Sequence, residues 1–152
     1  MTTETAPPRD GEQRKKDVLR HLVEDEDAWV STTGGDGAPC LVPLSFVWHG
    51  GTLVMTTRST NPTAVNAAAN GRAVVALGPT RDVVLIDADV EVVPSDALPA
   101  AAGEAFVRKL DWDTGDRPGW VFLVFRPRAV RAWREANELA GRELMRDGAW
   151  LV

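Results

Sequence analysis

One cysteine, Cys40, in 152 residues excludes an internal disulfide framework and any metal site built from several thiolates. Histidine is nearly as scarce, with only His21 and His49. No apolar run is long enough to span a bilayer and no signal peptide is evident, so the expected location is the cytoplasm. Positive charge is not in excess either. The formal net charge of −5 argues against a nucleic-acid surface, which normally shows a basic patch. What is present is ordinary for a soluble globular domain: 44% hydrophobic and 26% charged residues. The length suits one domain with one core.

Residues 1–11 are rich in threonine, proline and charge, which predicts a disordered tail ahead of a single domain over 12–152. Val18, Leu19, Leu22 and Val23 recur at helical spacing, predicting an amphipathic helix from Glu12 to Glu26. His21 lies on it among charged neighbours and is expected to be a solvated surface histidine. Ala28–Thr33 reads as a first strand that turns at Gly34–Gly37. Those glycines lead into a strand and lack the Lys-Ser/Thr of a phosphate loop, so they form a hairpin turn. Pro39 and Pro43 mark the second strand as an edge, bulge or rim, since proline gives a ladder no N–H.

The stretch from Ala38 to Leu77 organises the chain. An apolar run to Trp48 meets a tight turn at Gly50-Gly51, with His49 expected as an exposed turn residue. Thr52–Thr57 returns as a strand. Arg58, Ser59 and Thr60 follow, then Asn61-Pro62, which predicts a helix with Asn as N-cap and Pro in its first turn. Asn70-Gly71 ends that helix, and Arg72–Leu77 is another strand. A helix start suits an anion, with hydroxyls of Thr56, Thr57, Ser59 and Thr60 and the Arg58 fork as candidate phosphate donors. The same residues also read as a capped helix on a solvated loop.

Val83–Val93 predicts a strand with one wet face. Asp87, Asp89 and Glu91 share that face without a histidine or cysteine, so a solvated row is expected rather than a metal site. A helix is expected from Pro94 to Leu110. The loop Asp111–Gly119 has calcium-loop spacing, but its twelfth position is Phe122, not the required glutamate; Trp112 is a candidate rim aromatic. Trp120–Phe125 reads as a buried strand, and Pro127 as the start of a helix carrying Val130, Trp133 and Ala140. The apolar end of the chain, Trp150-Leu151-Val152, needs cover, either from its own barrel or across a dimer. About six strands suit a small barrel.

Gly37-x-Pro39, Val42–Trp48, the glycine turn, Leu53–Thr57, Asn66 and Asn70-Gly71-Arg72 together resemble the pyridoxamine 5′-phosphate oxidase-like family over roughly Asp27 to Val93. That family comprises FMN-binding split β-barrels and includes flavin/deazaflavin oxidoreductases. The resemblance implies a mainly β, six-stranded split β-barrel with flanking helices, working as a homodimer with cofactor sites between subunits. It implies an oxidoreductase using FMN or coenzyme F420 on a small molecule. Thr56, Thr57, Arg58, Ser59, Thr63 and Asn66 would then hold the cofactor phosphate, and Pro43, Leu44 and Ser45 would line its ring. Trp112, Trp133 or Trp150 would stack from the partner. The cofactor is the reactive group in such enzymes, so no side-chain acid or base is expected. One departure favours an alternative: the family often has a basic residue where this chain has Thr63. A non-catalytic or sequestering flavin/deazaflavin-binding barrel, or one that has lost its cofactor, is that alternative.

Overall fold

Alternating apolar and polar residues lay most of the chain into one curled antiparallel sheet. The computed structural model describes residues 4–152. Among them, in chain order, are α1 (Gly11–Glu24), β1 (Asp27–Thr33), β2 (Pro39–Ser45), β3 (Val47–His49), β4 (Thr52–Arg58), α2 (Pro62–Asn70) and β5 (Arg72–Leu77). Then come β6 (Val83–Pro94), α3 (Ala100–Leu110), β7 (Trp120–Trp133), β8 (Glu143–Arg146) and β9 (Ala149–Trp150). The strands run in the order β2-β1-β5-β6-β7-β4-β3, with β8 on β7 and β9 on β8. The two ends of that order, β2 and β3, are successive pieces of one run separated only by Phe46. The sheet therefore curls until its edges meet at a corner, where the fully buried Phe46 donates its amide to the Glu26 carbonyl at 2.9 Å. No ladder joins β2 to β3, so the barrel is split there.

Strand alternation divides the interior in two. Val30, Leu53, Met55, Val75, Ile86 and Phe125 point into the barrel. Val54, Phe122 and Val124 point the other way and meet Phe106 of α3 in a second core. Residues on adjacent positions of β4 and β7 thus serve different cores.

Three expectations are corrected. Nine strands form where six were expected, because the two-residue and four-residue strands at the C-terminus and the break at Phe46 add to the count. The helix expected from Pro127 is instead the second half of β7, with Val130 opposite Ile86 and Ala132 opposite Val84. Val130 and Ala132 are buried while Ala129 and Arg131 face out; the period is two, and Pro127 is accommodated beside a bulge at Arg128, which the register skips. His21 is not solvated: its ring nitrogens lie 2.9 Å from Asp25 and 3.0 Å from Asp82.

The chain before α1 falls partly outside the described residues. Within them, Asp10 caps α1 through the Gln13 amide at 2.8 Å. Arg9 forms a bidentate pair with Glu138 (2.8 and 3.0 Å) and reaches Asp17 at 2.8 Å, so order begins before residue 11. Arg14, 4% exposed, donates to the carbonyls of Arg9, Ala132, Glu138 and Ala140. At the other terminus Trp150 pairs back onto Met145, beneath the Lys15 ammonium at 5.0 Å. Trp150 thus packs on its own barrel, while Leu151 and Val152 stay exposed.

Candidate functional site

Of the two predicted helix signals around residue 61, one holds and one is diverted. Pro62 opens α2 and Gly71 ends it with φ +71°, as the sequence implies. Asn61 occupies the cap position but makes no side-chain bond to the helix. Its Nδ2 donates instead to the Thr57 hydroxyl at 2.8 Å. No side chain caps α2 and no acidic residue stands in its first turn, so no side chain competes for its N-terminal amides and partial positive charge.

The predicted phosphate residues fall into two groups, separated by the pleat of β4. Thr57 points towards α2. Thr56 points to the α3 side, buried, where its hydroxyl meets Thr114 Oγ1 at 2.8 Å and donates to the Val121 carbonyl at 2.9 Å. Arg58 follows Thr56 on that side, exposed, with its guanidinium 5.7 Å from the Trp120 ring. It has no carboxylate partner among the described residues, and it ends the strand beside the turn into α2. Ser59 is exposed and donates its amide to the Gly119 carbonyl at 2.8 Å.

Thr63 and Asn66, on the inner face of α2, sit over the β1–β2 hairpin. Thr63 is buried with its hydroxyl 3.8 Å from Cys40 Sγ, and Asn66 Nδ2 donates to Thr32 Oγ1 at 3.2 Å. Thr32 and Cys40 are themselves cross-strand partners. A small polar cluster thus joins helix to hairpin. Sequence reasoning missed Thr32 and the Cys40 contact, because they arise from packing α2 onto the hairpin, which no local pattern announces.

β2 pairs only with β1 among the described strands, and its two prolines blunt the free edge, as expected. Pro43 faces outward opposite Trp29. Leu44 turns inward against the core. Ser45 donates to Asp27 at 2.6 Å. The three ring-contact candidates therefore present an apolar edge and a backbone rim, not three side chains on one side.

The tryptophans separate likewise. Trp112 packs against Phe106 (6.0 Å between ring centroids) and Trp120 (5.6 Å), so Trp112 and Trp120 form an aromatic step beside Arg58. Trp133 sits at the opposite end of β7, opposite Val83. Thirteen residues at roughly 3.3 Å each put it about 40 Å of strand away from Trp120, out of reach of Arg58 in the same chain. An additional exposed aromatic, Trp29, heads an outward row with Leu41 and Val74, at 50%, 62% and 38% exposure.

Asp87 and Asp89 lie opposite arginines on the outer face, Arg131 at 3.8 Å and Arg128 at 3.6 Å. Among the described residues no group of three or more His, Cys, Asp or Glu is arranged to hold a metal ion, and no helix is long and apolar enough to cross a membrane.

A curled antiparallel sheet with edges meeting at a corner, and a helix starting from the end of one central strand, defines a split β-barrel. The chain belongs to the pyridoxamine 5′-phosphate oxidase family, whose model matches residues 16–134. Among solved structures it is similar to an F420 reductase at 21% identity, covering 73% of this chain and 93% of that one, with a TM-score of 0.60. It is similar also to a conserved hypothetical protein from Mycobacterium tuberculosis at 18% identity, covering 90% and 92%, TM-score 0.69. A heme binding protein from Mycobacterium smegmatis matches at 18% identity, covering 94% of this chain and 60% of that one, TM-score 0.70. No curated protein matches the sequence. At these identities the likeness speaks for the fold.

Proposed function

We propose that this protein is a cytoplasmic oxidoreductase that binds the phosphate-bearing cofactor FMN or F420 at the start of α2. The observation that carries the reading is the uncapped start of α2, with Arg58, a cation with no carboxylate partner among the described residues, four residues before it at the end of β4. The donor set fits a phosphate: backbone amides of the first turn, the exposed hydroxyls of Ser59 and Thr60, and one planar fork. Arg58, Ser59, Asn61 and the first turn of α2 would hold the phosphate. Pro43 and the free edge of β2 would border the ring. A bound flavin or deazaflavin supplies hydride transfer; the chain supplies orientation and an apolar border. Family membership and the likeness to an F420 reductase support this reading.

The outward row Trp29, Leu41, Pro43 and Val74 supports a homodimer through the face of β2, β1 and β5. A second copy there covers an exposed apolar stripe adjoining the cofactor edge, and it is the route by which a distant tryptophan such as Trp133 reaches the site.

A second reading rests on Thr63. It occupies the position where the resemblance implies a basic residue, and it is buried facing Cys40. A barrel that binds or sequesters the cofactor without turning it over, or one that has lost its cofactor, fits that loss of charge. The test is titration of FMN and of F420 by tryptophan quenching, followed by reduction of the loaded protein. Binding of neither cofactor removes the oxidoreductase and selects a barrel that has lost its cofactor. Binding without hydride exchange selects the second.

A further inference from the structure

We propose that His21 is a pH-gated latch: as an imidazolium it bridges Asp25 and Asp82, holding α1 to the β5–β6 turn, and it slackens when it loses a proton. Nδ1 lies 2.9 Å from Asp25 Oδ2 and Nε2 lies 3.0 Å from Asp82 Oδ2. An ionised carboxylate only accepts, so both ring nitrogens must carry hydrogen for both bonds to form. A neutral ring keeps one bond and turns a lone pair towards a carboxylate at the other.

Hydrogen bonds and a nearby cation hold Asp82 ionised. Arg134, after β7, reaches Asp82 Oδ1 at 3.2 Å, and Arg9, before α1, stands 3.8 Å from the same oxygen. Both arginines also reach Asp17 of α1, at 3.6 and 2.8 Å, and Arg9 pairs with Glu138. Lys109 of α3 donates to the Asp25 carbonyl. Burial alone disfavours the charged ring, but the hydrogen bonds to Asp82 and then Asp25 outweigh it and raise the His21 pKa above 6.5. The latch is thus complete below pH 6.5 and is lost as pH rises through the raised value, on the alkaline side. Loss of that proton loosens the turn ahead of Val83, whose cross-strand partner is Trp133, although Arg134 and Arg9 still reach Asp82.

The test is NMR titration of the His21 ring in the full chain, with hydrogen exchange of residues 78–83 corrected for intrinsic rate. The expected result is a midpoint above 6.5, two ring N–H signals below it, and faster exchange in 78–83 above it. Asp82→Asn should lower the midpoint. The difference in Tm between wild type and His21→Gln should shrink from about pH 6 to about pH 9. A wild-type midpoint at or below 6.5 overturns the latch, as does exchange in 78–83 that ignores the titration. The wild-type measurements decide the matter even where a variant fails to fold.

Discussion

Asn61 Nδ2 donates to Thr57 Oγ1 at 2.8 Å, drawing the cap side chain of α2 away from the helix it precedes. The bond leaves the first-turn amides for another acceptor and ties the end of β4 to the start of the helix. On the proposed function, Arg58→Ala should weaken FMN or F420 binding tenfold or more, since a charge-assisted contact contributes about 1.5–3 kcal/mol. Thr56→Val should leave affinity unchanged, because the Thr56 hydroxyl is buried and committed to Thr114 and the Val121 carbonyl, while costing stability by stranding Thr114. Fluorescence titration of both variants checks the pair. Equal losses would put the phosphate at the Thr56–Thr114 contact instead of the start of α2.

Phe46 fills the corner where the sheet's edges meet, with the Lys109 ammonium 4.1 Å from its ring. Phe46→Ala should cost about 3–5 kcal/mol in urea unfolding through lost burial and the cavity left behind. A cost below about 1 kcal/mol would mean the corner collapses around the smaller residue.

Glu138 is buried and accepts from Arg9 through side chain and backbone, and from the Arg134 amide. The Arg9 hydrogen bond, against the cost of burial, lowers its pKa from 4.5 to about 2. Its contribution is therefore present above pH 4.5 and is lost as pH falls towards 2; by linkage it amounts to about 3 kcal/mol. Wild type should lose stability over that window, and Glu138→Gln, already less stable at neutral pH, should lose less. Chemical denaturation at several pH values reads the difference.

Gly78 has φ +78°, and a Cβ there would run into the Asp82 carbonyl oxygen. Gly78→Ala should destabilise by about 2 kcal/mol or more, through positive φ and displaced turn backbone together. Because the turn carries Asp82, the His21 titration should move in the same variant. A thermal melt within about 1 °C of wild type would show that the turn shifts without cost.

Trp29→Glu places a charge in the centre of the exposed apolar row. On the dimer proposal, light scattering should give a dimer for wild type and a monomer for the variant, without loss of fold by circular dichroism. A monomeric wild type removes the dimer.

Periodicity made much of this architecture legible in the sequence. Alternating residues mark β1, β5 and β6, helical spacing marks α1, and Asn61-Pro62 with Asn70-Gly71 bracket α2, because these signals are local and each residue's environment is set by its own element. The second half of β7 was misread for the opposite reason. Pro127 and the Arg128 bulge mimic a helix start locally, and only pairing with β6 shows period two. The family resemblance supplied the barrel, which no local signal contains.

At the candidate site the chain alone determined the ingredients: hydroxyls, one guanidinium and a helix beginning at residue 62. Tertiary structure decided which of them share a side. The pleat sends Thr56 towards Thr114 and Thr57 towards Asn61, and the β1–β2 register sets the Thr32–Cys40 pair beneath Thr63 and Asn66. His21 has Asp25 one helical turn on in sequence, but it gained Asp82, 61 residues away, only from folding. Long-range pairing of this kind depends on how strands close around a core, and the spacing of residues along the chain does not encode it.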